Sequence, residues 1–590
     1  VIGLLGVPPA AIVALAALAA LALPRKAGHA VGVVALAAVA GWALAVPAGS
    51  GPTATFLGFE VVVVSVDAAS RMMALIFGGF GAAAVAYAYF ADAGRRHLAC
   101  ALGYVAAALW TVLVGDWLGL VVGWEAMAIV STAFVWLSGG DAVRAGYRYA
   151  LAHAIGGSLL ATGVALHLLA VGVGPTALWF DGTGVAGGLP AIVAGVGIGV
   201  NAAVIGLHGW MPDTYPRPHV ATSVFLCAFT TKAAVYAAYR AFPEGNLLLA
   251  YVGGLMSVYG AAYALAQKDM RRLLSYHIQA QVGFMLAGIG IGSAMGIAGG
   301  FGHLFNNVLY KGLLFMVAGI VVLHTGANRL DRFGALRTTA PVTLVTFLVA
   351  ALAISAAPGF NGYVSKGLVL DAAIEAGETP LEWLLYVGSV GTFASFIKFG
   401  YYAFLDGERV SVRDANPGHA AVALAIAGVC VVLGVYYQAL LAVLPATEGW
   451  TADPYTTTKL LKTAALGLAG LVVFVAAKPL LDRLHGGVDV DRVHDPAAFY
   501  GTRALSGTLG RLYRGIDDRV VALAWNAVGA TRDPAAFVDR ALPTAWEDRY
   551  RRRRERTPGK TGAKLGISWT IYVAGAVLAL ALGIGVLWGI

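Results

Sequence analysis

The chain has 590 residues, 59% of them hydrophobic and only 12% charged, with 77 glycines. A soluble domain carries about twice that share of charge, so the composition excludes one and describes closely packed membrane helices. The net charge of +9 is dispersed between apolar segments, which excludes a nucleic-acid binder. Three cysteines, Cys100, Cys227 and Cys430, lie inside apolar stretches with no metal-type spacing, which argues against disulfides and iron–sulfur sites.

A membrane span needs roughly 20 mostly apolar residues, and in chain order sixteen candidates appear. They lie near 3–23, 31–48, 71–91, 97–114, 117–137, 147–172, 189–208, 220–240, 248–267, 273–293, 297–323, 341–357 with a continuation at 363–376, 384–404, 419–444, 458–481 and 567–589. The N-terminal apolar stretch reads as the first span rather than as a signal peptide, lacking a basic leader. The β-branched run at 58–66 predicts a short strand or hairpin. Between the last two spans, 484–566 mixes Leu, Val and Trp with Arg and Asp, and its part 495–531 predicts an amphipathic helix lying on the membrane surface. A small subdomain or a loose linker is the alternative there.

Charge sets the orientation. With the N-terminus outside, the inner loops hold Arg25 and Lys26, Arg95 and Arg96, Arg144 and Arg148, Lys268, Arg271 and Arg272, Arg329, Arg332 and Arg337, Arg409 and Arg413, and finally Arg551 to Arg554. The outer stretches 49–70, 173–188, 241–247, 377–382 and 446–458 hold no Lys or Arg at all. By the positive-inside rule both termini lie outside a cell membrane. The resulting division is 1–116 for the N-terminal helices and hairpin, 117–240 and 241–404 for two half-channels, 405–483 for C-terminal core helices, 484–566 for the lateral segment and 567–590 for a last anchor helix.

Some charges fall inside spans. Glu125, Lys232, His303, Lys311, Lys366 and Lys398 do so, and His153 joins them in the sixth span. A centred charge costs about 2.5–3.5 kcal/mol to insert, so a set of five facing lipid would cost on the order of 10 kcal/mol. Such groups must face one another or an aqueous cavity. Burial disfavours the charged form of lysine and glutamate alike, so a water-bridged row of them forms a proton relay. For Lys398 and Lys311 a structural ion pair or a snorkelling side chain remains the alternative. Two interruptions accompany the charges: His208 to Asp213 after the seventh span, and Pro358 to Gly362 in the twelfth. Broken helices at membrane depth line cavities, and breaks five spans apart suggest two inverted five-helix repeats.

These residues sit in the motifs GWEAM at 123–127, LHGWMPDTYPRP at 207–218, FTTKAAVY at 229–236, DMRRLLSYHIQAQVGFM at 269–285, HLFNNVLYKGLLF at 303–315 and APGFNGYVSK at 357–366. Over roughly 1–444 the chain resembles the antiporter-like subunits shared by Mrp-type cation/proton antiporters, respiratory complex I and membrane-bound hydrogenases, most of all the Mrp D type. The resemblance implies that Glu125 modulates the site, that Lys232 is the central relay, that His303 and Lys311 continue it, and that Lys366 exchanges protons with one side. It also implies other membrane subunits as partners, with protons, either alone or together with sodium or potassium, as the ions, and no cofactor in this chain. The family places a lysine on the seventh span as partner of the glutamate; here that position is Asn201, which leaves His153 or His208 as substitutes, or Glu125 neutral. Position 307 is Asn where some relatives carry histidine. The lateral segment resembles that of the largest antiporter-like subunit of complex I, so a proton-pumping arm of a redox complex stays open beside the antiporter, as does a non-conducting scaffold.

Overall fold

The computed structural model describes residues 3–332, 335–407, 413–447, 453–483 and, within 500–522, all but 502, 505 and 509. The expected last span at 567–589 and the cluster Arg551 to Arg554 lie outside the described residues.

Helices follow one another with short connections. A single 3-10 turn at Leu4–Gly6 precedes α1 (Pro9–Ala22) and α2 (Arg25–Ala45). The first expected span is therefore a helix of 14 residues, because the pair Pro8-Pro9 starts the helix afresh. Four short strands come next: β1 (Gly49–Ser50) pairs antiparallel with β4 (Ser65–Val66), and β2 (Thr53–Phe56) with β3 (Phe59–Val62). The run at 58–66 thus forms the return side of a double hairpin. Then come α3 (Ala68–Phe90), α4 (Arg95–Leu113), α5 (Trp117–Trp136), α6 (Asp141–Val171) and α7 (Leu189–Asn201). The short α8 (Trp210–Thr214) and α9 (Val220–Leu226) lead into α10 (Thr230–Ala241), α11 (Leu247–Ala266), α12 (Met270–Ile291) and α13 (Ala294–Thr325). The series ends with α14 (Pro341–Ile354), α15 (Asn361–Glu375), α16 (Thr379–Gly400), α17 (Pro417–Val435), α18 (Tyr437–Leu441) and α19 (Thr457–Arg483). Among the described residues ten helices, counting α9 and α10 as one, are long and apolar enough to cross a membrane. Five of the other six expected spans coincide with shorter or more polar helices, and the sixth, 567–589, lies outside the described residues. Residues 497 onward form a separate unit, whose described residues between 500 and 522 are helical.

Side chains at the helix starts supply the acceptors that the first free N–H groups need. Asp67 and Ser70 make a reciprocal capping box on α3, and Asn246, Asp269, Ser293 and Asn416 cap α11, α12, α13 and α17. Asp116 caps α5 through the Gly119 N–H at 2.7 Å and also accepts the Val62 N–H at 2.8 Å, which pins the hairpin to the bundle.

Three breaks matter for the site. The seventh span ends at Asn201, earlier than expected, and Trp210–Thr214 is a helical turn rather than the interruption itself. The twelfth stops at Ile354 and restarts at Asn361. A further break, between Leu226 and Thr230, divides the eighth span, which reads as continuous in sequence. The first two share one design. Each half-helix begins with a proline in its first turn and ends on an alanine in the left-handed region, Ala203 (φ 56°) and Ala356 (φ 64°). At each end the alanine N–H bonds back three residues, at 3.1 and 3.0 Å, and the next N–H bonds back five, both at 2.9 Å. That is the Schellman closure normally given to glycine.

The centre of the bundle is α9, α10, α12 and α13, almost wholly buried; α1, α6 and α19 expose Leu, Val and Ile instead. The α11–α12 seam is made of small residues. A Cβ on Gly283 would lie 2.4 Å from the Gly253 carbonyl oxygen, and one on Gly290 2.4 Å from the Ala250 nitrogen. With no hydrophobic drive between helices in lipid, such backbone contact is what holds them.

Gly283→Val should force α11 and α12 apart and abolish the monodisperse peak in size-exclusion chromatography after mild detergent extraction, while Gly79→Ala, with open space around it, should leave that peak intact. Ala356→Gly should raise the thermal midpoint, by about 1 kcal/mol of relieved left-handed strain.

Candidate proton pathway

The break before α10 places Lys232 in that helix's first turn, fully buried. Its ammonium turns back to the carbonyl of Cys227 at 2.7 Å and to Thr231 Oγ1 at 3.2 Å. The cation thereby answers the partial negative charge at the end of α9. Lys311, near the middle of α13, donates to the carbonyl of Leu274 on α12 at 3.3 Å and lies 5.7 Å from the centre of the Phe396 ring. Lys366 sits one turn into α15 with its ammonium 4.5 Å from the Phe284 ring centre and no hydrogen-bond partner among the described residues. Lys311 is within Coulombic reach of both other lysines.

His303 joins the halves of this cluster. Its ring meets Ser365 Oγ at 3.1 Å, Gln281 Oε1 at 3.0 Å and the Tyr310 hydroxyl at 3.3 Å. Ser365 is the chain neighbour of Lys366, so α13 and α15 are tied together at the site. His277, one turn before Gln281 on α12, is a member of this cluster that sequence reasoning missed, although it lies in the stretch SYHIQAQVGFM. It is fully buried, its ring is 4.7 Å from that of Phe396, neither ring nitrogen has a hydrogen-bond partner among the described residues, and it lies within reach of Lys311 and Lys366. The available sequence signal is its spacing: His277, Gln281 and Phe284 fall on one helical face.

The first half is arranged differently. The Glu125 carboxylate lies against Gly157 of α6, where a Cβ would be 1.6 Å from Oε1; Asn201 lies against the adjacent Gly156, where a Cβ would be 3.3 Å from its Oδ1. Glu125 makes no ion pair among the described residues, and the buried Asn201 amide has no hydrogen-bond partner there. His153 bonds the Tyr149 carbonyl at 2.9 Å, stacks on the Tyr149 ring at 3.9 Å and meets Trp210 edge-on at 4.5 Å. His208 packs edge-on against Tyr259 at 5.1 Å and accepts the Gly206 N–H at 3.3 Å. A hydroxyl chain not visible in sequence runs from Ser131 to Tyr149 (2.8 Å), Tyr149 to Thr230 (3.4 Å) and Thr230 to Tyr104 (2.5 Å), ending beside Thr231 and Lys232.

Lys398 has another setting. Its ammonium bonds the carbonyls of Leu265, at 2.7 Å, and Gln267, at the end of α11. It lines a cavity of about 190 Å³ with Lys268, Asp331, Tyr402 and Asp482. Asp331, in the α13–α14 loop, is held below the usual carboxylate range by its hydrogen bonds from the Arg329 guanidinium. Among the described residues no group of three or more His, Cys, Asp or Glu side chains comes together to hold a metal ion.

The family model described as NADH:quinone oxidoreductase/Mrp antiporter, TM, matches residues 114–395. An uncharacterized protein of Methanocaldococcus jannaschii is 30% identical over 346 residues, 55% of this chain and 71% of that one. The D component of the Na(+)/H(+) antiporter of Alkalihalophilus pseudofirmus is 29% identical over 324 residues, 52% of this chain and 64% of its own length. Among solved structures, a chain of respiratory complex I from Thermus thermophilus with bound NADH has a TM-score of 0.66 at 22% identity, covering 80% of this chain and 99% of that one. That likeness concerns the fold alone.

Lys398→Met should leave the Leu265 and Gln267 carbonyls without their donor and lower stability by about 1–3 kcal/mol, read as a lower thermal midpoint in detergent. An unchanged midpoint would remove the capping role.

Proposed function

The chain belongs to the transmembrane family shared by NADH:quinone oxidoreductases and Mrp antiporters, and from that premise we propose that it is the proton-translocating subunit of a multi-subunit, Mrp-type monovalent cation/proton antiporter in the cell membrane. The observation that carries the reading is the buried row Lys232, Lys311, Lys366 with His303, in which each ammonium rests on a carbonyl, a hydroxyl or a ring and none has a carboxylate partner among the described residues. Without a fixed counter-ion, the charge on each lysine is governed by the charge on the next. Lys311 lies within Coulombic reach of both Lys232 and Lys366, and such repulsion grows as the interior excludes water, so the proton on one lysine shifts the occupancy of the next. A proton loaded at Lys232 thus disfavours one at Lys311, which favours release toward Lys366. The polar atoms of His277, Asn361 and Gln281 that lack protein partners are of the kind that buried water satisfies, and water would carry the proton between them.

The matching closures at Ala203 and Ala356, five spans apart, support two inverted five-helix repeats, while the reading of about sixteen spans with both termini outside rests on the hydropathy and charge pattern. Glu125 modulates entry beside Asn201 and Gly157. The D-type motifs and the antiporter relative of Alkalihalophilus pseudofirmus favour an antiporter, and the exchanged ion is sodium or potassium. The second reading, the pumping arm of a redox-driven complex, is favoured by the helical residues after α19, whose Leu512, Ile516 and Val520 recur at helical spacing.

Affinity purification of the tagged chain in mild detergent should bring down small, cofactor-free membrane subunits; flavin or iron–sulfur subunits in the eluate would overturn the antiporter reading in favour of the second. Asn201→Lys should create an ion pair with Glu125 and shift the pH optimum of transport, and an unmoved pH profile would mean that Glu125 acts without a partner from α7.

A further inference from the structure

We propose that Lys459 of α19 and Asp371 of α15 form a gate over the cavity through which Lys366 exchanges protons with the membrane face where α15 ends and α19 begins, which is the outer face on the charge-based orientation. The inference deepens the transport reading above and rests on it. It makes α19, which lies beyond the 114–395 stretch, part of the translocation machinery.

The cavity, about 190 Å³, lies between α15, α16 and α19. Lys366 lies at its buried end, 1% exposed. Asp371 follows five residues later, about 7.5 Å further along the helix axis, and is the only carboxylate among the residues lining the cavity. Lys459 Nζ meets Asp371 Oδ2 at 2.7 Å, with the two side chains 28% and 24% exposed. The pair therefore stands between the enclosed ammonium and the surface. Ser389 and Tyr386 of α16 and Lys462 of α19 are among the other polar residues of the lining.

The position of Lys459 needs an explanation beyond packing. It is the third residue of α19, where the positive end of the helix dipole disfavours a cation, and Lys462 follows one turn later. A sequence selected only to start a helix would carry Asp or Glu there. Asp371 offsets that penalty from the neighbouring helix. The start of α19 is held independently of the pair, by the Tyr363 hydroxyl donating to the Pro454 carbonyl at 2.8 Å. Further along, Gly470 packs against Phe393, where a Cβ would lie 2.4 Å from the Phe393 Cβ. The ion pair is thus not the sole tether of α19, and it is free to open.

The proton balance is simple. The proton leaves the Lys366 ammonium through water to the Asp371 carboxylate, which becomes neutral. Neutral Asp371 no longer holds Lys459, whose ammonium turns to solvent with its own proton retained. Asp371 then gives the transferred proton to bulk water and re-forms the pair. The pair ends as it began, and the cavity is one positive charge lower, at the now neutral Lys366, until the relay returns a proton to that amine.

The test uses the full complex in sealed vesicles with Ser389→Cys as a reporter and a membrane-impermeant thiol reagent, the adduct at residue 389 being counted by peptide mass. Lys459→Gln or Asp371→Asn should speed labelling about fivefold, the effect of losing an ion pair worth about 1 kcal/mol. The exchanged pair Asp371→Lys with Lys459→Asp should return labelling to the slow rate, which a variant that merely misfolds would not do. Equal labelling in all four proteins would overturn the gate and leave the pair as a plain tether. Failure of the transport reading shows separately, as proton flux unchanged by Lys366→Ala.

Discussion

A helix that stops inside a bilayer leaves carbonyl groups with no water to bond, and at the break between α9 and α10 a lysine ammonium answers that demand. Lys232 reaches the Cys227 carbonyl there, Lys398 bonds the last carbonyls of α11 beside the Lys268 loop, and Lys311 bonds a carbonyl within α12. Each bond serves two needs at once. The backbone acceptor is satisfied, and the buried cation is solvated by a dipole rather than neutralised by a carboxylate. A lysine paired to an acid in a low-dielectric core is held in one charge state by a large energy. A lysine resting on a carbonyl is held less firmly, so its neighbours can influence it. Lys366, beside the Phe284 ring and with no hydrogen-bond partner among the described residues, is the extreme of this series.

The proposed relay needs a rigid frame, because proton transfer along it tolerates little change in spacing. The frame is set by backbone contact rather than by side-chain bulk. Glycines on α11 and α12 bring the two helices together, and Gly163 and Gly197 do the same for α6 and α7, where a Cβ on either would lie 2.5 Å from the partner backbone. The closely held α12 then presents His277, Gln281 and Phe284 toward α13 and α15. Polar groups that would be costly alone become a connected set at the centre of the bundle, while the outer helices meet lipid with apolar faces.

Much of this is legible in the sequence because a membrane imposes a harsh filter. A lysine inside an apolar run is conspicuous, so Lys232, Lys311 and Lys366 can be picked out, and the hairpin follows from β-branched residues bounded by turns. Breaks signalled by proline and glycine, as at Pro358-Gly359, are also visible. The break ahead of Lys232 is not, since Cys227-Ala228-Phe229 has no helix breaker and the bend arises from tertiary contacts around Phe229, which packs on Phe77 and Tyr104. The left-handed alanines are hidden for the same reason. His277 escapes notice because a single histidine in a polar-tinged motif carries no period of its own. The setting of Lys398 depends on where α11 ends in space, which no local pattern reports. The meeting of Asp371 with Lys459 joins residues 88 positions apart, and nothing near either one announces it.

The central claim is that protons cross the membrane through the lysine row of this chain. The direct measurement is sodium- or potassium-driven proton flux in proteoliposomes holding the purified complex, comparing the native chain with Lys232→Ala at equal protein content. The account predicts that flux falls to the level of empty liposomes while the complex stays assembled. Flux equal to that of the native complex would contradict it and leave the chain a scaffold for conduction elsewhere.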